Sequence, residues 1–247
     1  MKDLLQLFDV AVVIPTVLRK QLKRAVESIY QQTFKGSIQI LIGIDKVLGD
    51  RKIIDELQDS CPDNIAITVI DFGYSTATRN GGLYTSMAGG SLRTILSYAA
   101  NSRYVAYLDD DNWYAPYHLS DLLKAIEGKA WAYTSRWYVD MNTNEVICVD
   151  NYHSTGPGKG HFARHWGGHV DTNCFLLDKL KCHFILPLWC FALFKDNTCE
   201  DLRVFCALMK NNLPYGFTNR PSVYYILDTN RYPGAKQLLI DQGFRIS

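Results

Sequence analysis

The chain lacks paired cysteine spacing, a strong net charge and any apolar run long enough to cross a membrane. Cys61, Cys148, Cys174, Cys182, Cys190, Cys199 and Cys206 stand singly, with no C-x-x-C pair among them. That pattern excludes a disulfide framework and fits reduced, cytoplasmic usage. Twenty-six basic and 25 acidic residues leave a formal charge of +1, which excludes a nucleic-acid binder relying on a basic footprint. No stretch of roughly eighteen apolar residues exists, so no membrane-spanning helix is expected. Ile185 to Phe194 is apolar and aromatic but too short to cross, and it contains Pro187. It suits core or an acceptor cleft, with peripheral contact to the inner face of a membrane left open. The Met1–Asp9 segment has acids on both sides of a short apolar patch and makes a poor signal peptide. There is no internal repeat and no low-complexity linker.

What is present is a chain of 247 residues with 47% apolar content, enough for a full core. Val10–Ile14, Ile38–Ile44, Ile65–Phe72 and Tyr104–Leu108 are apolar runs of strand length. Between them, Leu22, Ala25, Val26, Ile29 and Tyr30 mark one helical face, Ile53, Ile54 and Leu57 a second, and Leu92, Ile95, Leu96 and Ala99 a third. Strands alternating with helices predict a parallel sheet covered on its faces. The second half differs. Trp131–Met141 and Glu145–Val149 flank Asn142-Thr143-Asn144 as a hairpin. Tyr152–Gly168 has no periodicity, Thr172–Leu177 suits a strand, and Leu202, Phe205, Cys206 and Met209 give a helical stripe. Tyr224–Leu227 reads as a short last strand, and the tail after Pro233 as surface. A soft boundary near Tyr114–Tyr117 divides residues 1–115 from 116–247, with one sheet expected to continue across it.

In open α/β sheets ligands bind outside the carboxyl ends of the strands. Thr16, Asp45 and the triplet Asp109-Asp110-Asp111 all fall at such ends. Three adjacent carboxylates repel one another unless a cation separates them, and a hard divalent ion suits oxygen ligands. Period-two alternation would put Asp109 and Asp111 on one side and Asp110 on the other. An Asp-rich turn or cap is the alternative.

These residues resemble a known family. Val12-Val13-Ile14-Pro15-Thr16, a helix ending in Gln31-Gln32-Thr33-Phe34, and Ile40–Asp45 are similar to the opening of family 2 glycosyltransferases. Leu108-Asp109-Asp110-Asp111-Asn112 resembles their D-x-D block, and Glu200-Asp201 before Leu202-Arg203 their downstream acidic pair. The resemblance runs from about Val10 to Tyr225. It implies an α/β, GT-A-type, Rossmann-like mixed sheet flanked by helices in a single domain. Residues 1–115 would form the nucleotide-sugar half and 116–247 the acceptor half. It also implies an inverting transferase using a nucleotide-diphosphate sugar, UDP-sugar favoured, with Mn²⁺ or Mg²⁺ and a glycan or lipid-linked acceptor. Pro15 and Thr16 would lie against the nucleoside and Asp45 against base or ribose. Arg93 and Asp110 would also serve the donor, Asp109 and Asp111 would hold metal and diphosphate, and Asp201 would be the base. Asn112 stands where many members carry an acid, the Gly73–Gly90 passage is long and polar, and no membrane helices are appended. Sugar nucleotidyltransferases share the fold but open with a Gly-rich loop ending in Lys, which Pro15-Thr16-Val17-Leu18-Arg19 is not. A non-catalytic nucleotide-sugar-binding subunit of a synthase remains the alternative of another class.

Several residues carry competing readings. Thr198-Cys199-Glu200-Asp201 also fits an N-capping pattern, with Glu200 orienting or capping. Asp45 also suits a turn. Arg79, Asn80, Gly81 and Gly82 belong to a loop whose amides suit a phosphate or sugar. His161, His165 and His169 recur at four-residue steps, a zinc-like spacing, but Gly167 and Gly168 break the helix it needs. A loop closing over substrate, with Lys159, His161, Arg164 or His165 near phosphate, is the favoured reading. Trp166 suits a sugar face and Trp189 the core. His118 and His183 have no motif around them and read as structural or surface residues.

Overall fold

The computed structural model describes residues 7–86, 89–194, 199–230, 234, 236, 237 and 239. In the first half β1 (Phe8–Thr16), α1 (Leu22–Tyr30), β2 (Ile38–Ile44), α2 (Lys52–Asp59), β3 (Ile65–Asp71), α3 (Gly90–Ala99) and β4 (Ser102–Tyr107) alternate as expected. Every residue from Val10 to Thr16 and from Ile38 to Ile44 is buried, because helices cover both faces of these parallel strands. Leu22, Ala25, Val26 and Ile29 of α1 are buried, and full burial of such a Leu or Ile contributes about 1.5–3 kcal/mol. Gly43 allows α3 to approach β2, since a Cβ there would stand 2.8 Å from Leu96 Cδ1.

The second half adds β5 (Trp113–Tyr114), α4 (His118–Ala125), β6 (Trp131–Asp140), β7 (Val146–Val149), β8 (Gly156–Pro157), α5 (Ala163–Trp166), β9 (Gly168–His169), β10 (Phe175–Asp178), α6 (Glu200–Lys210) and β11 (Tyr215–Leu227). Among the described residues one mixed sheet runs β3-β2-β1-β4-β10-β6-β11-β5, with β7 beside β6. Strands β1, β2, β3 and β4 are mutually parallel, whereas β10 is antiparallel to both β4 and β6. The strand order reverses direction at β1, so β1 and β4 open a crevice at their carboxyl ends. The sheet continues across the soft boundary near Tyr114. No helix among the described residues is long and apolar enough to cross a membrane.

Four local expectations change. First, β4 stops at Tyr107, and Asp109 to Asn112 form a turn in which Asn112 N–H donates to the Asp109 carbonyl at 3.2 Å. Period-two alternation therefore does not apply to the carboxylates. Second, Thr172–Cys174 is a 3₁₀ turn, because the Asp171 carboxylate accepts from Asn173 N–H at 2.9 Å; the strand begins only at Phe175. Third, the last strand is far longer than Tyr224–Leu227, with register shifts around Pro221. Proline's missing N–H interrupts the ladder there. Fourth, the tail is not all surface: Leu239 is buried with Tyr138, Ile147 and Cys148. The hairpin forms as expected, with Asn144 at φ +59 in its turn. Trp189 lies wholly in the core, within the 3₁₀ turn Leu186–Cys190 that packs on α3. Thr198, the expected cap, and most of the tail after Pro233 lie outside the described residues.

Candidate active site

The ends of β1 and β2 are held level by Asp45 N–H, which donates to the Thr16 carbonyl at 2.9 Å. Leu108 N–H donates to Val13 O at 3.0 Å and brings the end of β4 alongside. A cleft of roughly 340 Å³ opens over these ends. Pro15, Thr16, Val17 and Arg19 line it from β1 and the segment after it, and Asp45 from β2. Arg79 and Gly89 line it from the long polar passage, Asp109 to Asn112 from the turn, and Tyr225 and Ile226 from β11. The Asp45 carboxylate accepts from Ser75 Oγ at 2.8 Å, which fastens the polar passage to the cleft wall. Gly89 has φ +79, and a Cβ there would stand 2.6 Å from Pro15 Cβ. The wall is therefore thin at that point because only glycine fits.

The three carboxylates have three different environments. Asp110 is buried and faces β1: Thr16 Oγ1 donates to it at 2.7 Å and Val17 N–H at 3.2 Å. Burial raises its pKa despite those donors and Arg19. Asp109 points the other way. Arg93 Nη2 pairs with its Oδ1, and Asn173 Nδ2 donates to its Oδ2 at 2.9 Å. Asp111 faces the cleft and meets Arg19 Nη1 at 2.7 Å. Desolvation, then repulsion from Asp109 and Asp110, pushes its pKa up to about 6. Asn112 Oδ1 accepts from Ile226 N–H at 2.9 Å and ties the turn to β11.

Behind this turn lies a polar network. Arg93 is buried and sits behind Asp109 rather than on the cleft wall; its Nη1 is 3.4 Å from Glu200 Oε1. The Glu200 carboxylate also accepts from Ser86 Oγ at 3.1 Å. Arg93 thereby joins the carboxylate turn to the first residue of α6, directly before Asp201. Asp201 Oδ1 accepts from Leu202 N–H at 2.8 Å, and Oδ2 lies 3.1 Å from His169 Nε2. The residue before α6 is Cys199, at φ +62 with no side-chain cap. The Asp201 side chain keeps 17% exposure against 7% for Glu200, so Asp201 is the accessible member of the pair. It does not line the cleft itself.

The model of glycosyl transferase family 2 matches residues 11–181, more than half of the chain. This chain belongs to glycosyl transferase family 2. Comparison with curated protein sequences gave no match. Among solved structures, S. aureus TarS 1-349 covers 88% of this chain and 60% of its own at 13% identity, with a TM-score of 0.62. The same TarS segment in complex with UDP-GlcNAc covers 89% and 58% at 13% identity and TM-score 0.62. Its complex with UDP covers 91% and 62% at 12% identity and TM-score 0.59. This likeness is one of fold, the GT-A curled mixed sheet flanked by helices. The chain spans about 60% of the length of that TarS segment.

Within this family 2 chain, the expected site residues fall into two groups. Pro15, Thr16, Asp45, Asp109, Asp110 and Asp111 converge on one cleft, while Arg93 and Asp201 do not line it. Among the described residues no three His, Cys, Asp or Glu side chains form a ready-made metal cage. The residues present nevertheless suit a hard divalent ion. Arg19 offsets only part of the desolvation and repulsion on Asp111, and Mg²⁺-like ions commonly take one or two carboxylates plus substrate phosphates. The histidines of the zinc-like spacing do not meet. His161 contacts the Tyr152 hydroxyl at 3.0 Å, His165 is exposed on α5, and His169 faces Asp201. His118 is structural, buried against the Tyr114 ring and the Ser222 hydroxyl. Trp166 is partly exposed against Phe194.

Sequence reading missed Arg19, Asn173, His169 as the partner of Asp201, and Tyr225. Asp171-Thr172-Asn173 did carry a turn signal. The network behind them is buried: Arg136 meets Asp150 at 2.8 Å and Asp171 at 2.5 Å, and its guanidinium lies 3.8 Å over the Tyr225 ring. It holds Asn173 and Tyr225 from beneath.

Proposed function

We propose that this chain transfers a sugar from a nucleotide-diphosphate donor, UDP-sugar favoured, to a hydroxyl of a glycan or lipid-linked acceptor, with inversion. The observation that carries the reading is the convergence of Thr16, Asp45 and Asp109 to Asp111 on one cleft at the ends of β1, β2 and β4. Family membership and the TarS fold, solved with UDP-GlcNAc and with UDP, support it. Pro15 and Thr16 would lie against the nucleoside, with the Thr16 hydroxyl committed to Asp110, and Asp45 would offer an acceptor for base or ribose donors. Asp109 and Asp111 would hold Mn²⁺ or Mg²⁺, whose chemistry is to neutralise charge on the departing diphosphate. Arg93 and Asn173 fix Asp109, so the carboxylates are oriented before substrate arrives. In the transfer, the acceptor oxygen bonds to the anomeric carbon as the bond to diphosphate breaks. The hydroxyl proton passes to Asp201. Its Oδ1 is fixed by the Leu202 amide and its Oδ2 is turned to His169.

Thermal shift with UDP, GDP and dTDP, with and without Mn²⁺, is the first test. A metal-dependent shift with UDP, followed by turnover of a UDP-sugar, is the expected result. No shift with any nucleoside diphosphate plus Mn²⁺ would reject the reading. A shift without turnover of any donor would favour a non-catalytic nucleotide-sugar-binding subunit instead.

A further inference from the structure

Arg19 lies between β1 and α1 and lines the cleft. Its Nη1 stands 2.7 Å from Asp111 Oδ2 and 3.2 Å from Asp110 Oδ1. Among the described residues, it is the only side chain in an ion pair with Asp111. The two neighbouring carboxylates have other holders: Asp110 has Thr16 and Val17, and Asp109 has Arg93 and Asn173. Arg19 is also the loose member of the group. Its side chain is 48% exposed, against 36% for Asp111 and 7% for Asp110, so the guanidinium is the most solvent-accessible of the three groups. A divalent cation on Asp111 would share with Arg19 a carboxylate whose Oδ2 the guanidinium now holds, and two positive groups that close repel. A displaced guanidinium in this cleft would lie next to a donor diphosphate, a group that arginine recognises well.

We propose that Arg19 is a resident counter-ion: it holds Asp111 in the free protein, yields that carboxylate to the divalent cation, and then grips the donor diphosphate. This rests on the proposed nucleotide-sugar reading and deepens it. Cation alone must displace Arg19 into water, whereas cation with nucleotide gives the guanidinium a new partner. Each ligand therefore raises the affinity of the other by the same factor.

The test is Mn²⁺ binding followed by electron paramagnetic resonance of the free ion, with and without UDP, on wild type, Arg19→Met, Arg19→Lys and Asp111→Asn. Without UDP, Arg19→Met is expected to bind Mn²⁺ roughly 5- to 10-fold tighter than wild type, the range set by losing two part-exposed ion pairs. Arg19→Lys keeps the charge and should stay near wild type. Addition of UDP should tighten Mn²⁺ binding more in wild type than in Arg19→Met. Equal Mn²⁺ affinity of wild type and Arg19→Met without UDP would overturn the counter-ion role. So would equal tightening by UDP in both. Tight UDP-dependent Mn²⁺ binding in wild type alongside either result would leave the parent reading standing. Absence of Mn²⁺ binding in wild type with UDP, or undiminished binding in Asp111→Asn, would reject the metal reading itself and this inference with it.

Discussion

His169 Nε2 stands 3.1 Å from Asp201 Oδ2, and both side chains are largely buried. Burial pushes the histidine pKa down, but the Asp201 carboxylate outweighs it and the net shift is upward. Burial likewise pushes Asp201 up, and the His169 ring and Leu202 amide bring it below its ordinary value. Both shifts favour the charged form of each group. His169 belongs to β9, which pairs with β8, so the Gly/His-rich loop is bolted to the start of α6 through this contact.

The pair makes stability depend on pH with a definite sign. The raised His169 value gives stability that is complete below about pH 6.5, its unfolded pKa, and lost as pH rises through the higher folded value. The depressed Asp201 value gives stability present above about pH 3.9 and lost as pH falls through the lower folded value. His169→Gln should therefore be most destabilised, relative to wild type, near pH 5.5 and much less so at pH 8.5. Urea denaturation at the two pH values checks this. An equal gap at both would mean that the pair is not charged.

Asp201→Asn removes the proposed proton acceptor while keeping shape and the Leu202 contact. Transfer is expected to fall by about 10²–10⁴-fold, with nucleotide affinity nearly unchanged, because loss of a general base acts on kcat. Calorimetric UDP binding beside donor–acceptor kinetics separates the two quantities. Wild-type turnover by the variant would take Asp201 out of the base role.

Arg93→Met should cost stability rather than only affinity. Arg93 is 2% exposed and holds Asp109 and Glu200 together, so its removal leaves the buried Glu200 without its counter-charge while Asp109 keeps Asn173. Breaking a buried pair in this way costs about 3–5 kcal/mol. Denaturant unfolding of the variant checks it, and a loss below about 1 kcal/mol would show that Asp109 and Glu200 do not depend on the guanidinium.

Legibility in the sequence followed the range of the interactions. Val10–Ile14 of β1 and Ile40–Ile44 of β2 are runs without a polar side chain because parallel strands are buried on both faces, and such runs are visible locally. The carboxylate triplet is visible for the same reason. The partners that give each carboxylate its character are not local: Asn173 reaches Asp109 across 64 positions, and Arg19 reaches Asp111 across 92. Neither spacing has a period that could be read. The Asp109–Asn112 turn defeated alternation, since a residue that has left the strand no longer obeys its pleat. Pro221 hid the length of β11; Tyr225 and Ile226 lay within the expected strand, but nothing local put them on the cleft wall. Arg93 was legible as a candidate donor contact, but its burial behind Asp109 depends on how α3 packs.

Asp111 supplies the remaining prediction. Its carboxyl titrates near pH 6 because burial and its two acidic neighbours disfavour the charge. A divalent cation held there would compete with the proton for the same oxygens, so the proposed cation binding should weaken as the group protonates. Mn²⁺-dependent UDP binding should be nearly flat from pH 7 to 8 and should fall by up to about tenfold per unit well below pH 6, the limit for one proton. Asp111→Asn cannot take up that proton. Its Mn²⁺-dependent binding should be weak throughout and should lack the fall near pH 6. Calorimetric titration of UDP in Mn²⁺ buffers from pH 5 to 8, on both proteins, gives the two curves. A wild-type curve that stays flat down to pH 5 would remove Asp111 from the cation site.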